Sequence, residues 1–433
     1  MTFSWRRRRG KNQITAIAHE IELTIPTHFR CPISLDLMKD PVTLSTGITY
    51  DRDSIEKWID SGKVTCPVTN QVLLNFDLIP NHSIRKMIQD WCVANKSHGV
   101  ERIPTPRIPI SRYEVSEICA RLVAAARCSD AAKLQELLLR TRNSAKESDH
   151  NKRCISANGF GSALAESFES LAQFSAEDNE NLIKEILSAL TWSFPADQDG
   201  ISRLKSAVSL RWIARLLKAE DDLSSRQNAV CVLRELISAD QGGIVIDGVM
   251  GIEGVKEALF QIVKVPICPK ATKACLVVIN YLIEKDEKTA LRLVQMGLIP
   301  FILEILVDGD KSVCEKALAV MDTICNSKQG RESANENALT VPLLVKKILR
   351  VSDAATELAV STLWKLCLGE NESALVEAVQ LGAFQKLLVV LQIGSGERFK
   401  DKLTDLLKLM NLYRDKLDCF DSSMGFKYIK RSN

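Results

Sequence analysis

The chain has 433 residues, of which 46% are hydrophobic and 26% are charged, and its formal net charge is +3. This length predicts about two to four soluble domains, and the small net charge excludes a global electrostatic attraction to nucleic acid or to a membrane surface. The thirteen cysteines are odd in number and irregularly spaced, which argues against a disulfide framework. No apolar run is long enough to span a bilayer, and no signal-peptide core follows Met1. We therefore expect a cytoplasmic protein without stable membrane insertion, with additional nuclear localisation as the alternative.

The N-terminal tail, residues 1–24, carries the basic cluster Arg6–Arg9 next to Trp5 and close to Lys11. Such clusters can direct nuclear import or attach to anionic surfaces. A solvated tail of repelling charges needs no partner, and we favour that interpretation. No function is assigned to the cluster.

The first domain, residues 25–98, contains two cysteines followed by proline, Cys31 and Cys66, which suggest a zinc site at first sight. Structural zinc needs four Cys or His ligands, usually paired at short spacings. Ser34 and Thr69 stand where the second ligand of each pair would be. The other candidate ligands are too few for two sites: His28, His82 and Cys92. We predict that no metal or cofactor binds and that the cysteines pack as small hydrophobic residues.

Polar side chains can hold loops together in place of a metal, provided that their buried members are fully paired. The first domain is rich in such side chains. The candidates are Asp40, Asp51, Arg52, Asp53, Glu56, Lys57, Thr69 and Asn70.

The secondary structure predicted for this domain is a hairpin and two helices. Val42–Leu44 and Ile48–Tyr50 flank a glycine-containing turn, which is typical of a β-hairpin. Asp51 or Asp53 can cap the first helix, and a second helix follows Asn81. Apolar residues at helical spacing predict the buried positions Ile55, Ile59, Ile84, Met87, Ile88 and Trp91.

Four other apolar residues form a candidate partner site. Ile33 and Leu35 lie in the first loop, Trp58 is offset on the first helix from the core positions, and Pro67 lies in the second loop. If the loops flank the helix, these residues form a shallow apolar groove, which is typical of a partner site. For Trp58, packing in the core is an equally good interpretation of the sequence alone.

Six short blocks occur in order: CPIS, DP, GITYDR, a helix containing Trp58, CPVT and LIPN. This order resembles the U-box of ubiquitin ligases, a small α+β RING-like fold in which polar networks replace metal. The resemblance implies that Ile33, Leu35, Trp58 and Pro67 contact a ubiquitin-conjugating enzyme that carries ubiquitin. It also implies that ubiquitin is transferred without a covalent intermediate on this chain, so that no catalytic nucleophile is expected. Ligases of this kind often bridge the conjugating enzyme and ubiquitin with an arginine, and the matching position here is Asn70.

A linker, residues 99–112, contains Pro104, Pro106 and Pro109. Closely spaced prolines favour an extended, semi-rigid chain. A spacer is the favoured interpretation, and a proline-rich ligand for another domain is the alternative.

The region 113–415 has long helical periodicity and an internal repeat, and a C-terminal tail, 416–433, follows. Helix endings at Leu236, Leu282, Ile324, Leu366 and Leu409 lie 46, 42, 42 and 43 residues apart. A second landmark recurs at Gly254, Gly297, Leu339 and Gly382, where leucine requires a different turn from glycine. A period near 42 is typical of armadillo or HEAT repeats.

We predict about six armadillo-like repeats forming an α-solenoid, with insertions around 194–200 and 242–251. The tryptophans Trp192, Trp212 and Trp364 could anchor peptides, but burial is the favoured interpretation. The repeat cysteines are expected to pack in the core, namely Cys231, Cys275, Cys314, Cys325 and Cys367.

The whole chain after residue 25 resembles plant U-box ubiquitin ligases with C-terminal armadillo repeats, a mostly α architecture. The resemblance implies a RING-type (U-box) E3 ubiquitin transferase whose repeats hold a protein substrate, commonly in plant defence or stress signalling. The main alternative is a non-catalytic scaffold with a silent U-box. A nuclear import adaptor would leave the first domain unexplained. Self-association stays open.

Overall fold

The computed structural model describes residues 24–103, 109–173, 179–194, 196–240, 242–368, 372–393 and 397–423. The chain divides into two compact units, Met1–Pro109 and Ile110–Asn433. The basic cluster Arg6–Arg9 and the linker prolines Pro104 and Pro106 lie outside the described residues.

The first unit contains a three-stranded antiparallel sheet. Strands β1 (Pro41–Thr43) and β2 (Thr49–Asp51) form the predicted hairpin, which turns through Gly47 with a φ of 79°. A third strand, β3 (Ile79–Pro80), pairs with the other edge of β1, so that the order is β2-β1-β3. The sequence did not predict β3, because two residues are too short to show an alternating pattern.

Two helices complete the first unit: α1 (Arg52–Asp60) and α2 (His82–Ala94), with short 3-10 turns at Thr27–Phe29 and Lys96–His98. Asn81 caps α2 as predicted, because its side chain accepts a hydrogen bond from the amide of Ile84. Asp51 occupies the N-cap position of α1 but makes no side-chain cap, so the predicted capping by its carboxylate is wrong.

The core of the first unit lies between the sheet, the two helices and two loops. Ile55 and Ile88 are fully buried as predicted, while Ile59 and Ile84 are half-buried against the same core. Met87 is 49% exposed, and its predicted burial is therefore wrong. The buried residues are Phe29, Cys31, Met38, Val42, Leu44, Tyr50, Ile55, Cys66, Leu73, Ile88 and Cys92.

The second unit is built from helices in a repeating order. A helical pair comes first, α3 (Arg112–Arg127) and α4 (Ala131–Glu147). Six triplets follow within the described residues: α5 to α7 (Asp149–Ala157, Phe160–Gln173, Glu180–Ser193), α8 to α10 (Gln198–Leu204, Ala207–Leu217, Leu223–Ser238), α11 to α13 (Ile244–Met250, Val255–Lys264, Pro269–Lys285), α14 to α16 (Glu287–Gln295, Leu298–Asp308, Lys311–Ile324), α17 to α19 (Lys328–Glu336, Thr340–Lys347, Asp353–Cys367) and α20 to α22 (Ser373–Gln380, Ala383–Ile393, Glu397–Ser423).

Each triplet consists of a first helix of seven to nine residues, a second helix and a third helix. The third helices α10, α13, α16, α19 and α22 pack on one another in sequence, and one continuous apolar core runs through the unit. A triplet cannot bury its apolar surface alone, so stacking against its neighbours is what stabilises it. The six predicted repeats are therefore present.

The turn before each second helix explains the glycine landmark. Gly254 and Gly297 precede α12 and α15 with φ of 83° and 88°, a left-handed conformation that favours glycine. Leu339, before α18, has an ordinary φ of −86°. Its amide donates to the side chain of Asn337 at 3.0 Å, so that a side-chain hydrogen bond makes the turn instead.

One expectation for the repeats, that of insertions at two segments, needs correction. Segment 194–200 leads into α8, and segment 242–251 contains α11. Both are first helices of regular triplets, so neither segment is an insertion. Their short helices lack a clear apolar period, which hid them in the sequence. The repeat cysteines, by contrast, are buried as predicted.

The three repeat tryptophans are buried or half-buried. Trp212 is 9% exposed and donates to the carbonyl of Ala172 at 3.1 Å, and Trp192 stacks on Phe160. Trp364 is half-buried, and its indole N–H lacks a partner within the described residues. In the described part of the chain, no single helix has the length and apolarity required to cross a bilayer.

Candidate functional site

Two loops of the first unit have the same backbone conformation. We call residues 30–37 loop 1 and residues 65–72 loop 2, and a single antiparallel bridge closes each of them. The amides of Leu35 and Asn70 donate to the carbonyl of the cysteine four residues earlier, at 2.8 and 2.9 Å. Both residues have positive φ, 62° and 55°. Leu35 and Asn70 therefore occupy equivalent positions in the two loops. The sequence analysis did not predict this relationship.

The cysteine thiols accept hydrogen bonds that fix the two loops to the hairpin. The Cys66 sulfur accepts from the hydroxyls of Tyr50 at 3.1 Å and Thr46 at 3.4 Å. The Cys31 sulfur accepts from the amide of Asp51 at 3.3 Å. Both cysteines are fully buried, and they act as acceptors in addition to filling space as predicted.

These hydrogen bonds favour the thiolate of Cys66. Burial by itself would raise the pKa of the Cys66 thiol, but hydroxyl hydrogen bonds from Thr46, Thr69 and Tyr50 lower that pKa to about 6. Burial and the neighbouring sulfur raise the pKa of Tyr50, so that its hydroxyl keeps the proton that it donates. The described residues hold no group of three or more His, Cys, Asp or Glu side chains arranged for a metal ion.

The lowered pKa of Cys66 predicts a pH-dependent stability of the first unit. The folded form releases the thiol proton at about pH 6, whereas an unperturbed thiol does so at pH 9.0. This contribution is therefore fully present above pH 9.0 and is lost as the pH falls through 6. Denaturant unfolding of wild type and Cys66→Ser at several pH values measures the difference. A difference that does not change with pH would contradict a thiolate at Cys66.

A largely buried carboxylate, that of Asp40, joins the sheet to both helices. Asp40 accepts from Arg52 at the start of α1, with a distance of 2.7 Å, and from Arg85 of α2. The carboxylate of Asp51 accepts from the amides of Lys39 and Asp40 at 2.7 and 2.9 Å, so it holds the segment before β1 instead of capping α1. This network supplies the cross-links that a metal would supply in a RING-like fold.

Asn81 makes a second set of polar links. Its amide group donates to the hydroxyls of Thr43 and Thr49 at 3.2 Å each, while its carbonyl oxygen caps α2. One side chain thus fixes α2 to both strands of the hairpin.

Trp58 links α1 to loop 2. Its indole N–H donates to the carbonyl of Thr65 at 2.8 Å, and Lys63 lies over its ring at 3.6 Å from the centroid. The ring is half-buried against the core. Trp58 therefore packs against the core and also keeps part of its surface exposed. Core packing and partner contact, the two interpretations of the sequence, are both compatible with this position.

The loops place the other predicted site residues at the surface beside α1. Leu35 is 68% exposed, Ile33 and Pro67 are half-exposed, and Asn70 is exposed. Loop 1 is attached to the start of α1 through Cys31, and loop 2 to its end through Trp58. Each loop is thus hydrogen-bonded at one end of the same helix, and the apolar groove between them stays a prediction.

The structure adds one residue to this surface that the sequence reasoning missed. Val68 of loop 2 is 52% exposed and stands at the position equivalent to Ile33 of loop 1, two residues after the cysteine. The shared spacing of CPIS and CPVT was the signal that could have identified it. We call the surface formed by Ile33, Leu35, Trp58, Pro67 and Val68 the docking surface.

Comparison with known proteins agrees with this architecture. The family model described as U-box domain matches residues 25–97, and the one described as plant U-box protein ARM repeat region matches residues 114–430. The chain is 46% identical over its full length to the full length of U-box domain-containing protein 21 of Arabidopsis thaliana. It is 34% identical to E3 ubiquitin-protein ligase PUB23 of the same plant, with 94% of this chain and 98% of that protein covered.

Two solved structures are similar to this chain over part of its length. A crystal structure of an engineered protein has a TM-score of 0.50 at 15% identity and covers 76% of this chain and 75% of that one, which shows a shared fold. A designed armadillo repeat protein has a TM-score of 0.45 at 18% identity, with 56% of this chain and 98% of that chain covered.

The first unit and the helical triplets together define a U-box joined to armadillo repeats. The chain belongs to the family of plant U-box proteins with an ARM repeat region.

Proposed function

We propose that the chain is a U-box E3 ubiquitin transferase: the docking surface binds a ubiquitin-loaded conjugating enzyme, and the armadillo repeats hold the protein substrate. The observation that carries this proposal is the exposure of apolar side chains on two loops, each of which is hydrogen-bonded at one end of α1. Exposed apolar residues on a rigid support are typical of a partner interface. Relatives named as E3 ubiquitin-protein ligases support the same activity.

The mechanism is positional. The conjugating enzyme carries ubiquitin as a thioester, and the docking surface restricts that conjugate to orientations in which a substrate lysine can attack. Such restriction lowers the entropic part of the barrier. A nucleophile on this chain is not needed. The cysteines of the first unit, Cys31, Cys66 and Cys92, are fully buried and could not reach a thioester.

Asn70 is the residue that would bridge the conjugating enzyme and ubiquitin. It is exposed, and it has a left-handed backbone conformation at the position equivalent to Leu35. Asparagine donates and accepts hydrogen bonds but lacks the charge and the planar fork of arginine. The bridge in this protein is therefore weaker than an arginine bridge.

This weaker bridge predicts that Asn70→Arg speeds ubiquitin discharge from the loaded conjugating enzyme by about threefold to tenfold. Asn70→Gly is the matched control, because glycine keeps the left-handed backbone and removes the side chain. We expect the glycine variant to be slower than wild type. Equal rates for all three proteins would show that position 70 does not contact the conjugate.

A scaffold with a silent U-box is the second candidate, and one assay separates the two. The full chain is incubated with activating enzyme, a panel of conjugating enzymes, ATP and ubiquitin. Ubiquitin chains or self-modification that depend on the chain are the expected result. Absence of both with every conjugating enzyme would favour the scaffold.

A further inference from the structure

A groove of about 600 Å³ lies in the second unit between neighbouring triplets. One wall is the connection from α12 to α13, with Pro266 and Ile267, and the other is α15 with the start of α16. Phe301 and Ile305 of α15 and Val313 of α16 supply further apolar surface. Phe301 packs edge-on against Phe260, with ring centroids 5.7 Å apart, which fixes the ring at the groove. The groove therefore has a rigid apolar lining.

Three carboxylates stand around this apolar lining. Glu304 and Asp308 lie one turn apart on α15, Asp310 begins α16, and all three are exposed. Asp310 occupies the N-cap position of α16, but its side chain makes no cap. Among the described residues, none of the three carboxylates has an ion-pair partner. Lys264 is the single cation that lines the groove, so its balance is negative.

A second groove, of about 520 Å³, lies on the third helices α16, α19 and α22 and is less negative, with three acidic side chains and two lysines in its lining. Both signs of charge line it. Asp322 is paired with Lys365 at 2.7 Å, and Lys402 donates to Ser361 at 3.0 Å. Charges that are already paired give no preference for the charge of a ligand.

We propose that the groove between α12 and α15 binds a short segment of the substrate in which a large apolar side chain is flanked by lysine or arginine. The apolar side chain is transferred from water into the groove, which is favourable. The flanking cations pair with Glu304, Asp308 and Asp310. The inference rests on the proposed function, since it names the class of sequence that selects a protein for ubiquitin transfer.

The experiment probes the full chain against an array of synthetic decapeptides of random sequence. We expect the bound peptides to be enriched in lysine or arginine next to leucine, isoleucine or phenylalanine. The variant Glu304→Lys/Asp308→Lys should lose this enrichment, because it reverses the charge of the groove. Glu357→Lys, which reverses a charge in the second groove, is the matched control and should keep it. If the double variant melts at a lower temperature than wild type, Glu304→Gln/Asp308→Asn replaces it.

The proposal is overturned if the bound peptides show no excess of basic residues, or if wild type and the double variant bind the same set. An equal loss of basic-peptide enrichment in Glu357→Lys would also overturn the proposal, because the total charge of the protein, and not the groove, would then explain the loss. Ubiquitin discharge to free lysine is measured in parallel. If wild type discharges ubiquitin but the bound peptides are not enriched in basic residues, only the groove proposal is contradicted. If wild type does not discharge ubiquitin, the proposed function is contradicted.

Discussion

Replacement of Leu35 by alanine is expected to slow ubiquitin discharge from a loaded conjugating enzyme by about tenfold or more, while the first unit keeps its stability. Leu35 is 68% exposed, so its side chain contributes little to the core, and the alanine keeps the same backbone. An apolar side chain in that position is available to a partner. Single-turnover discharge measures the effect directly.

Leu74 offers the matched control for this prediction. It is also a leucine of the first unit, is 96% exposed, and lies outside loops 1 and 2. Leu74→Ala should discharge ubiquitin at the wild-type rate. If both variants lose activity equally, the effect is general, and the docking surface does not have the location that we propose.

Asp40→Ala is expected to unfold the first unit or to destabilise it by about 3–5 kcal/mol. The substitution leaves Arg52 and Arg85 without their shared carboxylate in a largely buried setting. A unit of this size has a small apolar core and no metal site among the described residues, so it has little stability to lose. Thermal unfolding followed by circular dichroism should show the loss.

The repeats have their own core, and their unfolding transition should stay unchanged in Asp40→Ala. Asp53→Ala is the matched control, because Asp53 is an exposed aspartate in the first turn of α1. A stability change for Asp40→Ala no larger than for Asp53→Ala would show that the carboxylate network does not replace a metal.

Much of the fold could be predicted because its signals are periodic. The third helices of the triplets carry apolar residues at helical spacing, and a glycine before several of the second helices, such as α12 and α15, marks a left-handed turn. Short elements escaped prediction for the opposite reason. The two-residue strand β3 and the seven-residue helices α8 and α11 are stabilised by tertiary contacts that no local pattern reveals.

The sequence named candidate residues for the site but did not indicate their geometry. The first loop and the resemblance to U-box ligases indicated Ile33, Leu35 and Asn70, yet only the backbone shows that Leu35 and Asn70 occupy equivalent positions in two similar loops. Asp51 stands where a helix cap is expected, but its carboxylate accepts amides from the segment before β1. That choice depends on contacts between residues distant in sequence. Propensity rules do not contain such contacts.

Site-specific crosslinking tests the central claim that loops 1 and 2 with α1 dock the conjugating enzyme. A photoreactive amino acid replaces Leu35 in one protein and Leu74 in another, and each is irradiated with the conjugating enzyme that is active in the ligase assay. We expect a crosslink from position 35 and none from position 74. A crosslink of equal yield from position 74, or none from position 35, would contradict it.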